Sequence, residues 1–323
     1  MATAVIFGGA GFIGTHLAET LRGRQDYSRV VSVDIKTASS PVPGVDYLMG
    51  DVREPLALPA FDGDIDIFNL AAVHTTPGHE DNEYFWTNVN GALNVCAFAD
   101  SVGCKRILFT SSISVYGPSE APIDESSPLR PTSAYGMSKS QAERIHRNWQ
   151  ASAPGRKLVI ARPAVIFGRG EGGNFTRLAA SLKRGIFFYA GRRDTIKGCC
   201  YVDDIVGSLL YMRDLDHDSV TYNGAYPDAY TIEDICNTMA ATCNYSRPRA
   251  TIPLSLMLFA GYLFELAGKI GLRTSINRAR VMKIVQSTNI RPVKLVESRY
   301  PFQFDLARAL RHWKEHSPSG ELE

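Results

Sequence analysis

The chain lacks several things that would each have named a class. Its six cysteines (96, 104, 199, 200, 236 and 243) form no C-x-x-C pair. A disulfide framework is therefore not indicated, and they read as reduced, mostly buried thiols of a cytoplasmic protein. Charge of one sign is missing too: the net charge is +2, with no polybasic tail or basic stripe, so no nucleic-acid partner is expected. No apolar run approaches the roughly 20 residues of a membrane span. The start, MATAVIFGGAG, has no basic leader and reads as a first strand, not a signal peptide. There is no G-x-S-x-G elbow of a serine hydrolase. His74 and His79 lack a third ligand, and HWKEH places no acid as H-E-x-x-H does, so no metal is expected.

What remains is a globular chain of 323 residues, 45% hydrophobic and 21% charged. Short apolar runs at 4–8, 30–34, 45–49, 65–71, 106–111 and 158–162 alternate with helical patterns at 12–24, 83–102 and 134–151. That alternation predicts a parallel sheet covered on both faces. After residue 163 the rhythm changes to a glycine-rich loop, GRGEGGN, and helices at 175–183, 204–213, 232–242, 254–269 and 306–316. The expected division is 1–167 and 168–323, with a late strand near 220–224 rejoining the first part.

IFGGAGFIGTH follows the first strand and opens the first helix. Gly8 suits a tight turn, Gly11 lets backbone approach a phosphate, and Gly14 lets helix pack on strand. The helix start at Phe12 and Ile13 then faces a pyrophosphate. Asp34, 20 residues past Gly14 at the end of VVSVD, suits the hydroxyls of an adenine ribose and disfavours a 2′-phosphate, which points to NAD, although Lys36 stands close by. In PLRPTSAYGMSK, Ser133 can cap a helix that sets Tyr135 and Lys139 one turn apart. An ammonium beside a phenol lowers its pKa and makes it a candidate base. Asp203 is expected to cap a later helix.

Together these segments resemble the extended short-chain dehydrogenase/reductase family. GGAGFIG is similar to its glycine motif, GDVR to its adenine-contacting segment (Asp51, Val52), and NLAAVH to the loop under the cofactor (Leu70, Ala71, Ala72, His74). WTNVNGALNV carries the helix asparagine Asn88, FTSSISVYG the active-site hydroxyls Ser111 and Ser112, YGMSK the Tyr135–Lys139 pair, and RPAVIFG the segment with Pro163 and Val165. The resemblance implies a Rossmann-type doubly wound α/β sheet with a smaller mixed C-terminal substrate domain. It also implies a bound NAD and a Ser112, Tyr135, Lys139 catalytic set.

Thr110 is followed by Ser111 and Ser112, not by the Asp-Glu pair of sugar-nucleotide 4,6-dehydratases, which argues against water elimination. The second half is most similar to N-acetylhexosamine 4-epimerases, in particular the type acting on polyprenyl-diphosphate-linked N-acetylglucosamine. The resemblance thus implies a diphosphate-linked sugar substrate, carried on UDP or polyprenyl, with Asn174, Lys197 and Arg280 as diphosphate contacts. It also implies a homodimer through the helices near 83–102 and 134–151. The alternatives left open are a 4-keto-sugar reductase, a hydroxysteroid-type dehydrogenase and a nucleotide sensor without turnover. The stretch IPLSLMLFAGYLFELAGKIG (252–271) is apolar around more than one face. Its readings are a buried or dimer-packing helix, or a helix over 253–270 that meets the inner face of a membrane.

Overall fold

A computed structural model describes residues 1–75, 78–269 and 278–323. Seven parallel strands form the central sheet: β1 (Ala2–Phe7), β2 (Tyr27–Asp34), β3 (Asp46–Met49), β4 (Ile65–Asn69), β5 (Arg106–Thr110), β6 (Lys157–Pro163) and β7 (Ser219–Gly224). Their spatial order is β7-β6-β5-β4-β1-β2-β3. The order reverses at β1, and in sheets of this kind ligands bind beyond the carboxyl ends of the strands at such a point.

Both faces of the sheet are covered, which explains the unbroken apolar runs. From β1, Ala4 and Ile6 point into one core and Val5 and Phe7 into the other. The first core is closed by α1 (Phe12–Arg22). The second is closed by α2, in which Asp81–Phe85, Trp86–Asn90 and Gly91–Ser101 run on as one helix with a π turn at its centre, and by α3 (Ala134–Ala151). A third core gathers α4 (Asn174–Lys183), α5 (Val202–Asp214), α6 (Ile232–Cys243) and a later helix at Leu306–His316, around Phe167, Tyr201 and Trp313.

The expected elements are present, with ends shifted by a few residues. The late strand is β7, and it pairs in parallel with β6 from Ser219↔Leu158 to Gly224↔Pro163. α5 also turns Val206, Leu209 and Met212 onto the first core, where Leu295 and Tyr300 join them. Two later segments thus complete the sheet and its cover. Two-residue and three-residue strand pairs, such as Tyr189–Ala190 with Thr251–Ile252, lay outside the sequence reading. They are too short to leave a periodic signal.

The apolar stretch forms α7 (Leu254–Lys269), followed by α8 (Arg278–Val285). It is not buried. Leu256, Phe259, Tyr262, Leu263 and Phe264 are exposed, as are Met282 and Ile284 on α8. Residues 270–277 lie outside the description, as do the side chains of 266–269 and Arg280. Among the described residues no helix is long and apolar enough to cross a membrane.

Candidate active site

The glycine turn closes between β1 and α1 much as its spacing implied. Gly8 has φ +79°, and a Cβ there would lie 2.7 Å from the Ala71 nitrogen. The turn therefore packs against the loop after β4 that carries Leu70, Ala71 and Ala72. A Cβ on Gly14 would meet the Gly8 oxygen at 2.4 Å. Gly11 begins α1 with no side-chain cap and no acidic residue in the first turn. The helix start at Phe12 and Ile13 keeps its amides available for an anion. Asp34 accepts hydrogen bonds from the Ala10 amide (3.1 Å) and the Lys36 amide (3.1 Å), which hold its carboxylate beside the turn. A 270 Å³ cavity opens here, lined by Ser32, Asp34, Lys36, Tyr47 and Met49. This cradle of glycines, free amides and one carboxylate fits the pyrophosphate and ribose of a dinucleotide.

Farther along the edge, the Asp51 carboxylate is gripped by Arg53 (Nη2–Oδ2 2.6 Å). The buried Val52 packs against Gly91 of α2. Asn88 binds the loop after β4. Its Oδ1 accepts from the Val73 amide (3.0 Å), and its Nδ2 donates to the Val73 carbonyl (3.1 Å) and to the Ser138 hydroxyl (2.9 Å). It thus pins the loop that ends in His74 to α3. The π turn carries this buried side chain.

Ser133 caps α3, accepting from the Gly136 amide (3.1 Å). The helix then presents Tyr135 and Lys139 to the ends of β5 and β6. Ser112 begins a short turn at Ile113–Val115, where its hydroxyl meets the Ser114 amide (3.1 Å) and lies near the Tyr135 phenol. The Tyr84 ring lies 6.1 Å from that of Tyr135. Lys139 is buried, donates to the Thr110 carbonyl (2.8 Å) and sits over the Phe109 ring. Pro163 ends β6, and Val165 opens the strand that follows.

Electrostatics at this centre correct one expectation. Burial pushes the Tyr135 phenol up to about 12, against the smaller lowering by the Ser112 hydroxyl. Burial also brings the Lys139 ammonium down to about 7, against the opposing pull of Glu143. Lys139 is too nearly neutral, and the site too dry, for the lysine by itself to make a phenolate.

The diphosphate set is not brought together so clearly. Asn174 starts α4, but that helix end is already served by Glu171, which accepts from the Phe175 amide (3.3 Å) and the Thr176 amide (3.0 Å). Asn174 itself accepts from Arg177. An incoming anion there has a carboxylate to displace. Lys197 donates to the Gln286 carbonyl at the end of α8 (2.7 Å). Arg280 lies on α8, and its side chain is among those outside the description. Asp203 is not a cap: it lies in the first turn of α5 and faces His16 at 3.4 Å.

The sequence reading passed over Glu143 and Arg162, which meet beneath Ser111. The spacing of Glu143, four residues after Lys139, was a usable signal. Arg162 comes from another element and left none.

The comparisons agree with this geometry. Residues 4–224 match the NAD dependent epimerase/dehydratase family. The chain is 32% identical over 310 residues, 95% of its length, to N-acetyl-alpha-D-glucosaminyl-diphospho-ditrans,octacis-undecaprenol 4-epimerase of Escherichia coli O157:H7, covering 92% of that protein. The structure superposes on the UDP-glucose 4-epimerase of Thermotoga maritima, with TM-score 0.74, 19% identity and 97% and 98% coverage of the two chains. It also superposes on the UDP-glucuronic acid 4-epimerase of Bacillus cereus in complex with NAD, with TM-score 0.73, 17% identity and 96% coverage of each. The chain belongs to the NAD-dependent epimerase/dehydratase family. It is an enzyme of that family with NAD as cofactor.

Proposed function

We propose that the protein is a 4-epimerase of a diphosphate-linked N-acetylhexosamine, with the polyprenyl-linked sugar as its substrate. The observation that carries this is the gathering of Ser112, Tyr135 and the buried Lys139, which donates to the Thr110 carbonyl, at the strand ends next to the glycine turn. NAD, when held by the glycine turn and Asp34, would supply reversible hydride transfer at C4 of the sugar and a cationic ring. Tyr135 takes the C4 hydroxyl proton and gives it back. A phenol held at about 12 stays protonated at neutral pH, and added positive charge lowers it toward the range where the phenolate forms. Ser112 holds the same oxygen. Lys139 orients the ribose side of the site. Gly8, Gly11, Gly14, Asp34, Asp51 and Val52 line the dinucleotide's path, and Lys197 is the contact proposed for the diphosphate.

The choice of carrier rests on α7 and α8. They expose several apolar side chains, and α8 ends against Lys197. A lipid-linked sugar would place its diphosphate there, and the apolar helices would meet the inner membrane surface. Dimerisation is proposed through the α2–α3 face, where exposed Leu93 adjoins a cavity lined by Cys96, Ile145 and Trp149.

The test is incubation of purified enzyme with UDP-N-acetylglucosamine and with its polyprenyl-diphosphate counterpart. The expected result is conversion of the lipid-linked sugar with bound NAD and no net change in NADH. Stoichiometric NADH consumption would instead mean a 4-keto-sugar reductase.

A further inference from the structure

Glu143 is fully buried, one turn beyond Lys139 on α3. Both its oxygens are engaged. Oε1 accepts from the Ser111 hydroxyl (2.6 Å) and Arg162 Nε (2.8 Å). Oε2 accepts from Arg162 Nη2 (2.7 Å) and Arg147 Nη2 (3.0 Å). Arg162 also donates to the Tyr116 hydroxyl (2.6 Å), which donates to Asn223 at the end of β7 (2.9 Å). One carboxylate thus ties α3 to the ends of β5, β6 and β7. Lys139 grips the same stretch through the Thr110 carbonyl. The two residues that precede Ser112 are therefore both anchored to α3.

The groups facing Lys139 can be named. Tyr135 and the buried, neutral His146 stand on its own helix, and His74 approaches from the loop after β4. Among the described residues Glu143 is the carboxylate whose field reaches it. Burial disfavours charge on Glu143, but the Arg162 guanidinium overcomes this and keeps it ionised.

We propose that Glu143 is a positioning residue for the reaction centre: its buried carboxylate stands as the opposite charge one turn from Lys139 and clamps the Thr110–Ser112 strand end against α3. This rests on the roles given above to Lys139 and Ser112. The same geometry explains why a carboxylate is tolerated in this core, since an unpaired charge there would be costly.

The test reads Lys139 directly. Lysines labelled with ¹³C at Cε are titrated by NMR, and the Lys139 resonance is assigned by its loss in Lys139→Met. In Glu143→Gln the Lys139 midpoint should fall by about one pH unit or more, because a buried cation loses its opposite charge. Glu143→Asp should restore the midpoint while turnover stays low, since the shorter side chain cannot keep the Ser111 clamp. A folded Glu143→Gln protein with an unmoved Lys139 midpoint overturns the proposal. If that variant does not fold, Glu143→Asp carries the test by itself, and full turnover in that folded protein overturns the proposal equally. The titration needs no sugar substrate. A moved midpoint in a protein that epimerises nothing would count against the proposed activity alone.

Discussion

Helices α3 and α7 break the usual rule of inside and outside in opposite senses. α3 buries Ser138, Lys139, Glu143 and His146. α7 exposes Leu256, Phe259, Leu263 and Phe264. Buried charge survives only with partners, and α3 has them: Thr110, Ser111, Arg162 and Asn69 each meet one of its polar groups. Its polarity is satisfied within the chain. The apolar face of α7 gains nothing from the fold, and a face of this kind marks a contact outside it. The first helix thus holds the groups of the proposed chemistry, and the second offers the surface proposed to meet a membrane.

The sharpest way to break the comparison is at the centre of α3. Tyr135→Phe should lower epimerisation by about 10²- to 10⁴-fold, the usual worth of a general acid–base group. The protein should stay folded and keep its NAD. Turnover near the original rate would remove the phenol from the mechanism.

His146 sharpens the point about buried polarity. Burial brings its imidazole from the ordinary 6.5 down to about 4. The unfolded chain takes up a proton that the folded one refuses, so stability is lost as pH falls from 6.5 toward 4, by about 2 to 3 kcal/mol. Urea unfolding across that range should show the loss, and His146→Gln should flatten it. An equally steep curve in the variant would point to other groups.

Lys139 carries the same cost on the alkaline side. Its folded pKa, about 7, lies below the ordinary 10.5. Its penalty is complete below pH 7 and fades as pH rises to 10.5, so the wild type should gain stability over that range. Lys139→Met should be about 2 kcal/mol more stable at pH 7 while losing activity. A variant no more stable than wild type would show that the ammonium is better compensated than its surroundings suggest.

The smallest stability effect belongs to α7. Phe259→Ser combined with Leu263→Ser should shift unfolding by under about 0.5 kcal/mol, as exposed sites do. Yet it should abolish co-sedimentation with anionic phospholipid vesicles and slow turnover of the lipid-linked sugar alone. Sedimentation unchanged by the pair would leave the membrane reading without support.

Much of this was legible along the chain. The glycine turn, Asp34 at its strand end, the cap at Ser133, and the Tyr135–Lys139 turn are all local patterns, set by the 3.6-residue period and by the small volume of glycine. Side chains close in sequence have their relation settled by backbone geometry alone. The tertiary structure decided what local pattern cannot carry. It sent Asn88 to Val73 and Ser138, filled the start of α4 with Glu171, joined Glu143 to Arg162 beneath Ser111, and left the apolar face of α7 in solvent. It also reversed the expected tyrosine shift, because desolvation depends on everything packed around a group, and the sequence names only the residues on either side.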